Sequence, residues 1–165
     1  MTTVPTSQLQ GAALDWAVAK CDGLLPKIAA TASYPDNKHY RIYTKNHYDA
    51  YGNACPTTYS PSTDWAQGGP IIERENITII RADNTYKVDS SGYATLERVP
   101  QWFAETSQWV GHSTCTSYEG EYFDPAFMID EDGGHYGTTP LLAAMRCYVA
   151  SRIGQTVEVP DEMLK

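Results

Sequence analysis

The feature that most constrains the fold is a pair of helical patterns near the two ends of the chain, with only short β-prone runs between them. Thr139-Pro140 opens the stronger one: a residue whose hydroxyl can accept from first-turn N–H groups, then proline at the first helical position. Leu142, Met145, Val149 and Ile153 then recur at helical spacing as one apolar stripe, and Gly154 stops it. At the other end, Ser7 with Gln10 three residues later reads as a capping box. Leu9, Ala12 or Ala13, and Trp16 share a face of that helix, and Gly23 suits its terminator. Asp15 falls on a different face and is expected to be solvated.

Between these helices, residues 40–44, 77–82, 86–88, 93–99 and 109–118 carry the alternating or β-branched character of strands, separated by turn signals. Residues 24–33 are expected to form a short helix or an irregular link, and Pro100 to open a helical turn over 101–106. Residues 119–136 read as an acidic surface loop, and residues 156–159 as a closing strand. Helices at the ends and strands in the middle predict an α+β fold, with a small, mostly antiparallel sheet packed with two main helices. The 165 residues suit a single domain spanning 1–165.

Composition narrows the functional classes. A net charge of −8 opposes binding to polymeric nucleic acid, which needs a basic face. No apolar run is long enough to span a bilayer, so no membrane partner is expected. Cys21, Cys55, Cys115 and Cys147 are widely spaced with no CxxC pair, His39 and His47 have no ligand partner at metal-like spacing, and the EF-hand pattern is absent from the acidic 119–136 stretch. Neither a metal nor a cofactor is expected, and the thiols read as reduced. The 12 tyrosines and 4 tryptophans exceed what a core of this size needs, which points to a homo-oligomer or another interface.

Residues 59–75 hold the candidate site. Ser60, Pro61, Ser62 and Thr63 favour a turn. Gly68 and Gly69 permit close approach to the backbone, and Pro70 opens a short helical turn over 71–75 that feeds the 77–82 strand. Trp65 offers a stacking face, the glycine N–H groups and Arg74 or Arg146 suit phosphate, and Asp64, Gln67 or Glu73 suit a ribose hydroxyl or a base edge. With Asp64 and Tyr59 at the rim of a concave site for a small polar ligand, Tyr59, Asp64, Trp65, Gln67, Gly68, Gly69, Glu73, Arg74 and Arg146 form the expected ligand-binding set, with no catalytic residue among them. The competing reading buries Trp65 at the core edge and leaves Glu73, Arg74 and Glu75 as a solvated turn.

Three stretches carry a resemblance: residues 6–19, opening Thr6-Ser7-Gln8-Leu9-Gln10-Gly11; residues 59–75, centred on Asp64-Trp65-Ala66-Gln67-Gly68-Gly69-Pro70; and residues 139–151, opening Thr139-Pro140-Leu141-Leu142. Together they resemble the NinX-like family of small phage accessory proteins. The resemblance implies a phage-encoded protein acting in the host cytoplasm, and it supplies no catalytic mechanism. Three functions stay open. The first is a binding protein that sequesters a small nucleotide-derived signal in counter-defence. The second is a protein that binds and inhibits a host protein. The third is a small acid–base enzyme using Asp64 and Glu73, joined by His112 or His135; no G-x-S-x-G, Walker or HExxH motif supports it.

Overall fold

The computed structural model describes residues 1–31, 39–48, 54–81, 84–88, 94–98, 101–106, 116–117, 120–121 and 134–164. Strand β1 (Thr2–Pro5) leads through a 3₁₀ turn at Thr6–Gln8 into helix α1 (Gly11–Cys21). Strands β2 (Lys27–Thr31), β3 (His39–Tyr48) and β4 (Ala54–Tyr59) follow, then helix α2 (Trp65–Arg74). Next come β5 (Ile77–Arg81), β6 (Asn84–Val88), β7 (Ala94–Arg98), β8 (Trp102–Thr106), β9 (Thr116–Ser117), β10 (Gly120–Glu121) and β11 (Gly134–Gly137). Helix α3 (Pro140–Arg152), strand β12 (Thr156–Val159) and a 3₁₀ turn at Asp161–Leu164 close the order.

All the pairing among the described residues is antiparallel. The strand orders are β2-β3-β4 and β11-β8-β5, with two-stranded pairs β1-β12, β6-β7 and β9-β10. The fold is α+β, as expected. Helix α3 lies across β5, β8 and β11, while α1 packs on α3, β3 and β12, and α2 on α3 and β5. The core therefore sits around α3, where Leu141, Ala143, Ala144, Met145, Cys147, Tyr148 and Val149 are all buried. The expected single stripe of Leu142, Met145, Val149 and Ile153 is too narrow, because α3 is covered on several sides; Ile153 itself is exposed.

The start of α3 follows its sequence signal, with Thr139 Oγ1 accepting from Leu142 N at 3.1 Å. The end of α1 does the same: Gly23 has φ of +68°, Gly23 N donates to Lys20 O and Leu24 N to Ala19 O at 2.9 Å, a Schellman closure. The start of α1 departs from its capping box. The helix begins at Gly11, and its N-cap is Gln10 with no side-chain cap bond. Thr6 is held by Gly154 and Gln155 through Oγ1→O and N→O bonds of 2.8 Å each. Leu9 is drawn into the core, so the chain turns again before the helix can start.

Other expectations change because cross-strand pairing overrides local propensity. Residues 27–31 form β2 on the edge of the β3 sheet, in place of a helix or an irregular link. Residues 102–106 form the middle strand of the β11-β8-β5 sheet, in place of a helical turn after Pro100, and bury Phe103 and Ala104. Strands β6 and β7 pair with each other and leave β5 to β8. Most of the strand expected over 109–118, and most of the acidic loop, lie outside the described residues.

Candidate functional site

The 59–75 stretch is more helical than its glycines and proline suggest. A turn at 60–64 closes through Thr63 N and Asp64 N, which donate to Ser60 O at 3.1 and 2.9 Å. Asp64 then caps α2, with Oδ1 accepting from Ala66 N at 2.9 Å. Helix α2 runs through Gly68, Gly69 and Pro70 rather than starting at Pro70. Gly68 is required by packing, since a Cβ there would collide with Pro61 O and with Leu141 Cδ2. Gly69 precedes proline, where any Cβ resists helical backbone, so glycine lets the helix pass into Pro70.

These contacts divide the expected ligand set. Gln67 faces inward: its Oε1 accepts from Ser60 N at 2.9 Å, and its Nε2 donates to Thr58 O at 3.2 Å and Asp64 Oδ2 at 3.0 Å. Asp64 caps, and Gly68 is buried. Trp65, in the first turn, is 56% exposed. Glu73 is exposed, Gly69 is partly exposed, and a Cβ on Gly69 would meet open space. Trp65, Gly69 and Glu73 recur at four-residue spacing and share the outer side of the helix. Arg146 is remote from this ridge: its Nε donates to Leu9 O at 2.8 Å and its Nη1 to Tyr136 O at 2.7 Å, tying α3 to the entry of α1 and to β11.

Tyr59 and Arg74 belong to a polar junction where the ends of α1, α2 and α3 meet. Asp22 Oδ1 accepts from Arg74 Nη2 at 2.7 Å and from the Tyr148 hydroxyl at 2.8 Å, and its Oδ2 accepts from the Tyr59 hydroxyl at 2.7 Å. Arg74 Nε donates to Glu75 Oε1 at 2.8 Å, and Arg152 Nη2 donates to Glu75 Oε2 at 2.6 Å. Both guanidinium groups also lie over the Tyr148 ring, with Cζ at 5.7 and 5.8 Å from its centroid. Burial alone pushes the Asp22 carboxyl up, but the bonds from Tyr59, Tyr148 and Arg74 together hold it below its ordinary value. Glu75 behaves alike: burial is outweighed by Arg74 and Arg152. Burial, followed by the bond to Asp22, pushes both tyrosine hydroxyls up.

Asp15 is a correction. It is 5% exposed rather than solvated, and its Oδ1 accepts from Ser62 N at 2.9 Å. Burial pushes its carboxyl from 3.8 up to about 6, against the lowering effect of Ser62. The Ser62 hydroxyl is near this carboxyl but outside hydrogen-bond geometry, and Ser62 Oγ is buried without a partner. A sequence signal for this burial exists: every neighbour from Ala12 to Ala19 except Asp15 is apolar, so this part of α1 has no polar face to turn to solvent.

The pair suggested for acid–base work is not assembled. Asp64 and Glu73 stand at opposite ends of α2, nine residues and about 13 Å apart along the axis. His135 is 4% exposed in β11, with neither ring nitrogen partnered. Burial, then the nearby Arg146 charge, pulls its pKa down. His112 lies outside the described residues. Burial pushes the Cys21 and Cys147 thiols up to about 12. Among the described residues no His, Cys, Asp and Glu group could hold a metal ion, and no helix is long and apolar enough to cross a membrane.

The family model described as "Bacteriophage P22, NinX" matches residues 5–118. It covers α1 and the α2 stretch, and the third stretch of resemblance, 139–151, falls outside it. No curated protein matches the chain. The matched region exceeds half of the sequence and contains the loop, cap and helix from which the candidate site is built; the chain belongs to the phage NinX family.

Proposed function

We propose that this phage accessory protein works by binding, in the host cytoplasm, and that the outer side of α2 is its docking ridge for a host protein. One observation carries the reading: Trp65 is 56% exposed in the first turn of α2, while Asp64, Gln67 and Gly68 beside it are committed to capping and packing. A large ring on a convex helix face suits an interface anchor, and aromatic anchors dominate binding energy in such surfaces. The test is side-by-side capture from host extract with wild type and Trp65→Ala, after circular dichroism shows both folded. A defined host protein held by the wild type and lost with Trp65→Ala supports the proposal. Identical capture together with identical phage growth refutes it.

A second reading keeps the nucleotide-derived signal and its sequestration in counter-defence. The open space at Gly69, one turn from Trp65, favours it, since a planar base stacked on the indole needs room there. Glu73 would then face a ribose, and Arg74 would have to leave Asp22 and Glu75 to reach a phosphate. Titration of nucleotides and cyclic dinucleotides against tryptophan fluorescence decides it. Saturable quenching lost in Trp65→Ala supports sequestration, and no change at millimolar ligand refutes it.

A further inference from the structure

We infer that α2 is a conformational device: a helix held shut by polar locks at its two ends, which opens locally while the rest of the core stays folded. The inference is independent of what docks on Trp65.

The middle of α2 is poorly suited to be helical. Gly68, Gly69 and Pro70 are consecutive, and glycine and proline are the two weakest helix formers. Pro70 has no N–H to give to the Ala66 carbonyl one turn before it. The hydrophobic anchoring is also thin. Helix α2 buries only Gly68 and Ile71, whereas seven residues of α1, from Ala13 to Ala19, are buried, as are seven of α3. What holds α2 is therefore concentrated at its ends. At the front are the Asp64 cap and the Gln67 clamp on Ser60 and Thr58. At the back are Arg74 on Asp22 and Tyr148, and Glu75 on Arg152. Both arginine side chains are 52% exposed, so salt can weaken the back lock. The exits are suited to hinging: the turn over 60–64 precedes α2, and Asn76, with φ of +51°, follows it. Opening would strip α2 from α3 and take the Trp65 ridge with it.

Native-state hydrogen exchange on the full chain tests this through the Ile71, Ile72, Glu73, Arg74 and Glu75 amides. The expected result is exchange on the order of 100-fold faster than for the mid-α3 amides. Arg74→Ala should speed α2 exchange roughly a further tenfold, with α1 and α3 unchanged. Added salt should act in the same direction. Pro70→Ala restores the missing N–H and should slow α2 alone. Exchange of α2 at the α3 rate, or Arg74→Ala raising exchange of all three helices together, would overturn the inference.

Discussion

Asp15→Asn should make this protein more stable at neutral pH, and the gain should vanish in acid. Asp15 is buried in α1, and its carboxyl is pushed from 3.8 up to about 6. A carboxylic acid that holds its proton more tightly when folded gives stability that is complete below its unfolded value. That stability is lost as pH rises through the folded value, because the unfolded chain releases the proton first. The window is therefore from about pH 4 to about pH 6. Its depth, at about 1.36 kcal/mol per pH unit, is about 3 kcal/mol. Asparagine keeps an oxygen for Ser62 N at the position of Oδ1, removes the buried charge, and brings an N–H₂ toward the unpartnered Ser62 Oγ.

The assay is urea unfolding of wild type and Asp15→Asn at pH 4, 5, 6 and 7. Groups distant from Asp15 cancel in the difference. The difference should be near zero at pH 4, rise through pH 5 and level off above pH 6. At pH 7 the midpoint of thermal unfolding should move up by about 6–12 °C for a chain of this size. A difference that is flat across the series refutes the reasoning, and so does a variant less stable than wild type at pH 7. Either result means that Asp15 is stabilised as a carboxylate by more than the Ser62 N–H.

Gly68→Ala and Pro70→Ala, two residues apart, should act with opposite signs in urea unfolding. The first drives a Cβ into Pro61 and Leu141 and should cost about 1–3 kcal/mol or more; the second relieves a helix interior and should gain about 1–2 kcal/mol. Tyr59→Phe removes one of three donors to Asp22 and should cost about 1.5–3 kcal/mol at pH 7. Because the Asp22 carboxyl is held below its ordinary value, that cost should start to shrink as pH falls below about 4, where the unfolded chain takes up the proton first, measured by the same unfolding at pH 7 and pH 3. Thr139→Ala removes the cap on Leu142 N and should cost about 0.5–2 kcal/mol, read from the thermal midpoint.

The legible parts of the fold are those whose causes lie within one turn of chain. Thr139 before Pro140 and Gly23 after α1 act through partners three to five residues away, and both behave as their types require. The 77–81 strand follows its own β-branched residues. The parts that depart from their local signals are those whose partners are distant. Ser7 and Gln10 have the composition of a cap, yet Thr6 is claimed by Gly154, 148 residues away. Residues 102–106 carry Trp, Phe, Ala, Glu and Thr, which do not choose between turn and strand until β5 and β11 pair on either side. The stretch through Gly68-Gly69-Pro70 reads as a loop because local propensity opposes a helix there; the cap, the Gln67 clamp and the contact with Leu141 outweigh it.

The same distinction governs what Arg74 can do. Helices α1 and α2 each end on an acid, Asp22 and Glu75, where the negative end of the helix dipole disfavours one. The compensation comes from arginines: Arg74 reaches Asp22 across 52 residues, and Arg152 reaches Glu75 across 77. In the sequence Arg74 stands as a cation nine residues after Trp65 in the same stretch, available to an anion. In the folded chain it already has two carboxylates and a tyrosine hydroxyl, and the Glu75 bond pushes its own pKa up. A phosphate that engaged Arg74 would have to replace those bonds and leave the largely buried Asp22 with only its two tyrosine donors. A host protein that seats on Trp65 has no such exchange to make. This asymmetry, added to the exposure of Trp65, favours protein docking over nucleotide capture.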